Sequence, residues 1–229
     1  MTVGHTSDRG VPDVVYVLRH SDDNEELRFS LRTLANLPHG KVWLAGGQPS
    51  WTANVGRIKV PPKTDKYLTV AANLAAVTDC ADVSETFVLF NDDFFVIRPV
   101  DRVGYAHRGP WKQALKGYGS RRDSYVRRLK QAAQAWPDGL CYDSTHRPMP
   151  MEKGRLRDVL DRNWTLWKSD YGNFHQVGGV QVKDVKIKRA GMPGDKQTFV
   201  STSDASFKHQ QVGKWIRRRF PNPSPYENH

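Results

Sequence analysis

An α/β body, with a mostly parallel central sheet flanked by helices, is the fold class that this 229-residue chain predicts. Short runs of β-branched and aromatic residues, Asp13 to Leu18, Lys41 to Ala45 and Phe87 to Phe90, are apolar nearly throughout, the pattern of strands covered on both faces. Between them lie segments whose apolar residues recur at helical spacing. Strand, helix, strand alternation requires parallel crossovers, and ligands of such sheets gather beyond the carboxyl ends of the strands.

Residues 1–11 read as a flexible polar leader, 12–220 as one domain with halves 12–100 and 101–220, and 221–229 as an extended proline-rich tail. After the first strand, Leu27, Phe29, Leu31 and Leu34 mark a helix, with Ser21 to Asn24 as candidate caps and Glu25 and Glu26 in its first turn. The strand Lys41 to Ala45 closes at Gly46-Gly47-Gln48-Pro49, and a short strand is expected over Ile58 to Val60 before Pro61-Pro62. Asp65 to Asp79 carries Leu68, Ala71, Ala72, Leu74, Ala75 and Val77 at amphipathic spacing and leads into the strand at Phe87.

The second half has weaker patterning. Ser120 to Ala135 reads as a basic helix striped by Tyr125, Val126, Leu129 and Ala133. Cys141 to Met151 is a proline-punctuated loop, and Glu152 to Asp161 a short helix. Trp164, Trp167, Tyr171 and Phe174 suggest core or lid packing. Val177 to Lys188 alternates Val and Lys like an edge strand or hairpin, Thr198 to Ser203 is a last strand, and one helix runs from about Ala205 to Arg219.

Lys and Arg number 35 against 24 Asp and Glu, and the net charge of +11 favours polyanionic partners: nucleotides, phosphosugars, nucleic acid or an anionic membrane surface. The two cysteines, Cys80 and Cys141, lack metal-site spacing, and no apolar stretch is long enough for a transmembrane segment. A cytoplasmic, reducing location in a bacterial or phage-infected cell follows as the expectation.

The chemistry concentrates at Asn91-Asp92-Asp93, an acidic turn between the apolar runs Phe87 to Phe90 and Phe94 to Ile97. Adjacent carboxylates at a strand end, with no Lys or Arg beside them in sequence, repel each other. A divalent cation, Mg²⁺ or Mn²⁺, bridging Asp92 and Asp93 to phosphate oxygens would relieve that repulsion. Ordinary turn chemistry is the plainer reading of the triplet. Arg28 is either a donor contact or half of an ion pair with Glu25 or Glu26, and Gly47 and Gln48 either offer amides to a nucleotide or form a turn. His146 sits in a proline loop beside Arg147, whose guanidinium suits phosphate, and Asp204 opens a helix as cap or site residue.

Taken together, Asp13 to Tyr16 with Asp22, Glu26 to Arg32, Gly47-Gln48-Pro49 with Trp51, Phe87 to Pro99, Thr145 to Pro148, Ser203-Asp204 and Pro223 to Glu227 resemble the Stealth family of sugar-phosphate transferases. The resemblance implies a GT-A-like Rossmann-type fold, with 12–100 as the donor-binding half and 101–220 as the acceptor or catalytic half. It also implies a UDP-sugar donor such as UDP-GlcNAc and a saccharide or protein hydroxyl as acceptor, with no stable nucleic-acid partner. Asn91, Asp92 and Asp93 would then sit at the donor diphosphate and metal, His146 near the reacting phosphate, and Asp204 at a second aspartate position, making Asp93, His146 and Asp204 the catalytic candidates. Sugar transfer with release of UDP is the alternative reaction. A basic nucleic-acid-binding module using Arg121, Arg122, Arg127, Arg128 and Arg217 to Arg219 is the alternative of a different class.

Overall fold

The computed structural model describes residues 10–162 and 166–228. Most of the expected leader and Trp164 therefore lie outside the described residues. The chain forms β1 (Asp13–Leu18), α1 (Glu25–Thr33), β2 (Val42–Gly46), β3 (Gly56–Ile58), α2 (Lys66–Asp79) and β4 (Thr86–Phe90). Then follow β5 (Phe94–Val96), β6 (Ala106–His107), α3 (Trp111–Lys116), α4 (Ser124–Ala135), β7 (Met149–Glu152), α5 (Lys153–Leu160), α6 (Trp167–Phe174), β8 (Val180–Gln181), β9 (Lys186–Ile187), β10 (Phe199–Thr202), α7 (Asp204–His209) and α8 (Gln211–Arg219).

The main sheet has the order β3-β2-β1-β4-β7. Its first four strands are parallel and β7 runs antiparallel on the edge. The α/β expectation with a mostly parallel, helix-flanked sheet therefore holds. Alternate residues of β1 feed two cores: Val15 and Val17 pack with Leu74, Val77, Leu156 and Val159 of α2 and α5, and Val14, Tyr16 and Leu18 with Leu27 and Leu31 of α1. Two covered faces are why β1 reads as a continuous apolar run rather than an alternating one.

Asp13 fixes the far end of this sheet. Its carboxylate accepts hydrogen bonds from Lys41 N (2.8 Å), Trp43 Nε1 (2.8 Å) and Ser84 N (3.0 Å), joining β1 to β2 and to the chain entering β4. At the other end the strand order reverses between β1 and β4, which opens a crevice beyond their carboxyl termini.

The acidic turn hands the chain from β4 to β5, which belongs to a second sheet of order β5-β10-β9. Ser30 of α1 donates to Phe94 O, and Val96 N donates to Thr33 Oγ1 at 3.0 Å, so polar side chains of α1 satisfy part of the backbone of β5. Phe29, Phe95, Val200, Phe207, Val212 and Ile216 close a core between this sheet, α7 and α8.

Several elements depart from the sequence reading. The expected loop Cys141 to Met151 ends in β7, which runs on to Glu152 and whose Pro150 is tolerated because β7 lies on the sheet edge. Of the two readings of the segment from Val177, the edge strand holds and the hairpin does not: β9 lies at the edge of its sheet, paired with β10, and β8 pairs with β6. The helix expected over Ala205 to Arg219 breaks at Gln210, and α8 turns so closely onto α7 that a Cβ on Gly213 would lie 1.7 Å from Phe207 O. The basic helix begins only at Ser124, capped by Asp123, and Leu68 in α2 is 59% exposed. Among the described residues, no helix is long and apolar enough to cross a membrane.

The tail is tied down rather than extended. Glu227, 4% exposed, accepts from Arg32 Nε and Nη2 (both 2.9 Å), Arg28 Nη1 (3.3 Å) and Ser224 N (2.8 Å), and bridges to Thr52. Tyr226 shares a 2.6 Å hydrogen bond with His39. Glu227→Ala is expected to cost about 1.5–3 kcal/mol, since charged hydrogen bonds are lost from a buried carboxylate and Arg32 loses its partner. Urea unfolding measures it, and a stability equal to wild type would refute the clamp.

Candidate functional site

A cavity of about 470 Å³ lies at the crevice beyond β1 and β4. Val17 and Arg19 reach it from the end of β1, Asn91, Asp92 and Asp93 from the end of β4, and Glu26 from the first turn of α1. Lys66, Tyr67 and Val70 of α2 line it as well, and the second half of the chain adds Asp143, His146, Lys168, Lys186, Lys188 and Asp204. Tyr118 and Tyr125 pack edge to face with centroids 5.9 Å apart, and Tyr125 leans on the His146 ring at 6.1 Å.

At its centre, Asp93 Oδ2 accepts from Lys186 Nζ and from Ser201 Oγ, each at 2.7 Å. Ser201 and Lys186 are register partners on β10 and β9, so the second sheet delivers both donors together. Burial opposes the charge on Asp93. The nearby ammonium and these hydrogen bonds outweigh it and hold the carboxyl below its ordinary range, and they keep Lys186 above its own despite burial. Asp92 is half-buried beside that charge, and lost hydration and the charge together push its carboxyl upward. Asn24 caps α1 with its side-chain oxygen on Leu27 N (3.0 Å) and donates its amide to Asp92 (2.8 Å), tying the helix start to the acidic turn.

Glu26 accepts from Thr202 Oγ1 at 2.6 Å. Burial, then the charges of Asp93, Asp92 and Asp204, push its carboxyl up to about 7. Lys168 donates to Arg147 O at 2.8 Å and lies over the Phe94 ring, and burial, opposed by Asp143 and Asp93, brings its ammonium down to about 8.

His146 occupies a left-handed backbone position (φ 50°) that closes a 3₁₀ turn over Asp143–Thr145. Its Nδ1 lies 2.8 Å from Asp184 Oδ1, which also accepts Lys186 N at 2.8 Å. Among the described residues Nε2 has no partner, so the ring is oriented by a carboxylate on one side and open on the other, the arrangement a proton acceptor needs.

Of the residues singled out in the sequence, Asn91, Asp92, Asp93, His146 and Asp204 meet in this cavity. Others do not. Arg28 stacks on Trp51 at 4.3 Å and pairs with Glu227, not with Glu25 or Glu26. Arg147 turns its guanidinium onto Phe199 at 4.4 Å and does not line the cavity; its carbonyl accepts from the Lys168 ammonium. Gly47 serves packing, because a Cβ there would lie 2.2 Å from Arg19 O. Gln48 lines a separate hollow of about 510 Å³ with Gly46 and His20, where its Nε2 is buried without a partner among the described residues. Asp204 is the first residue of α7, and Ser203 is the cap. Of the arginines considered for nucleic acid, Arg217 is committed to Glu25 at 2.6 Å.

The expectation that Asp92 and Asp93 hold a divalent metal does not fit these residues. The ammonium of Lys186 stands on the Asp93 oxygen, and Asn24 takes Asp92 Oδ2. Among the described residues, no group of three or more His, Cys, Asp or Glu side chains is placed to hold an ion. The charge relief assigned to a metal comes from a lysine 93 residues away in sequence.

No protein-family model matches the chain, and no curated protein matches its sequence. Among solved structures it is similar to the crystal structure of a galactosyltransferase, LgtC, in complex with donor and acceptor sugar analogues, at 15% identity, with 91% of this chain and 94% of that one covered and a TM-score of 0.48. The fold class rests on the strand order and register of the main sheet.

The Glu26 carboxyl, raised from 4.5 to about 7, binds its proton more tightly in the folded chain than in the unfolded one. Its stabilising contribution is complete below pH 4.5 and is lost as the pH rises through about 7. Glu26→Gln keeps an acceptor for Thr202 but removes the titration. Urea midpoints of the variant should therefore gain on wild type across that window, and two parallel profiles would contradict the assignment.

Proposed function

We propose that this chain is a nucleotide-sugar-dependent transferase of GT-A-like build that moves a sugar 1-phosphate from a UDP-sugar, such as UDP-GlcNAc, to a hydroxyl of a saccharide or protein. The observation that carries the reading is the grouping of Arg19, Lys66, Arg121, Lys168, Lys186 and Lys188 around one cavity at the strand-order reversal, beside a carboxylate-held histidine. A diphosphate is the ligand that such a cationic crevice suits. The segments that resemble Stealth transferases contribute Glu26, Asn91 to Asp93, His146 and Asp204 to the same wall, although they are spread over most of the chain.

In this reading the acceptor oxygen attacks the β-phosphorus, the bond from that phosphorus to the bridging oxygen breaks, and UMP leaves. His146 Nε2 takes the hydroxyl proton, with Asp184 holding the ring and favouring the cation formed. The lysines and arginines stabilise the charge gathering on the phosphoryl oxygens. Gln48, with its unpartnered amide, is a donor contact for the base or ribose in the hollow beside His20, which follows Arg19 of the main cavity.

Glu26 favours a second reading. A carboxyl brought to about 7 and lining the cavity is a second base near neutral pH, and an acceptor hydroxyl that it activates at the sugar carbon gives direct transfer of the sugar with release of UDP. Incubation with UDP-sugars and candidate acceptors, followed by chromatography of the nucleotide product, separates the two. UMP is expected, UDP alone would replace the leading reading with the second, and neither product from any donor would remove both. His146→Ala is expected to lower kcat by about 100-fold or more while leaving the unfolding midpoint near wild type.

A further inference from the structure

We propose that Lys186, backed by Lys168, supplies the positive charge for the donor diphosphate that the sequence assigned to a divalent ion, so that donor binding requires no added metal. The inference rests on the reading of the cavity as a nucleotide-sugar site.

Both lysines are built into the fold. Lys186 lies on β9 opposite Ser201, and the two converge on Asp93 Oδ2 at 2.7 Å each. An ammonium carries three donors, and Asp93 engages one, leaving two for phosphate oxygens in a cavity that Lys186 lines. Lys168 donates one hydrogen to Arg147 O and also lines the cavity. A divalent ion brought to Asp93 would have to displace Lys186 or approach its ammonium closely, and like charges in a part-buried site repel strongly. The same pair relieves the acidic turn: Asp93 holds Lys186 in position, and Lys186 allows Asp93 to be buried as an anion.

Titration calorimetry of the full chain with UDP-GlcNAc, in EDTA and in excess Mg²⁺ or Mn²⁺, tests this. Affinities within about twofold of each other are expected, and Lys186→Met should weaken binding in EDTA by about tenfold or more. Should Lys186→Met lower the unfolding midpoint, Lys186→Met with Asp93→Asn leaves no unpaired carboxylate and must show the same loss. Binding that vanishes in EDTA and returns with metal overturns the inference and leaves the donor site standing, and so does unchanged affinity in the lysine variants. Wild-type protein that binds no UDP-sugar in any condition overturns the donor reading and this inference together.

Discussion

Asp93 sits where the two sheets meet, and its carboxylate is affordable there only because Lys186 and Ser201 reach it from the second sheet. A buried anion without partners costs far more than one that is paired and hydrogen-bonded, and removing a single partner leaves the other as an isolated buried charge. The neighbouring groups depend on this pair. Asp92 is pushed up by the charge on Asp93, Glu26 is pushed up by burial and then by both, and Lys168 keeps its ammonium partly through Asp143 and Asp93. One joint thus sets the protonation of the cavity wall.

The joint has mechanical consequences as well. The main sheet is organised from its opposite end by Asp13, so the β1 and β4 termini are free to open as a crevice. Helix α1 spans the gap between the sheets: Asn24 at its start holds Asp92, Ser30 and the terminal Thr33 hold β5, and Arg32 holds the tail through Glu227. A helix of nine residues therefore fixes the acidic turn, the second sheet and the carboxyl-terminal segment relative to one another. Its arginines, which on sequence grounds belong at a ligand or on a helix surface, are structural.

The divalent-metal expectation took no account of Lys186, which engages Asp93. It was argued from the local absence of Lys and Arg around Asn91-Asp92-Asp93, and local absence says nothing about what a distant strand brings. The Val and Lys alternation around residues 182–188 was visible, and alternation puts Lys186 and Lys188 on one face of a strand. Whether that face meets water or an acidic cavity depends on the partner of β9, and that partner is β10, separated from it by a loop with no pattern of its own.

By itself the sequence determined the elements with an unbroken apolar run or a helical stripe: β1, β2, β4, α1 and α2, the parallel crossovers they imply, and the acidic turn at the end of β4 as a chemical focus. Those features are local, since a continuous apolar run or a helical stripe carries its environment in its own spacing. Only the tertiary structure decided that Asp93 faces a lysine, that His146 is held by Asp184, that Arg28 and Arg32 clamp the tail, and that β7 completes the sheet from a proline-rich loop. Each of these is an encounter between residues far apart in the chain. The free energy that selects such an encounter comes from burying opposite charges and edge strands together, and no short window of sequence contains it.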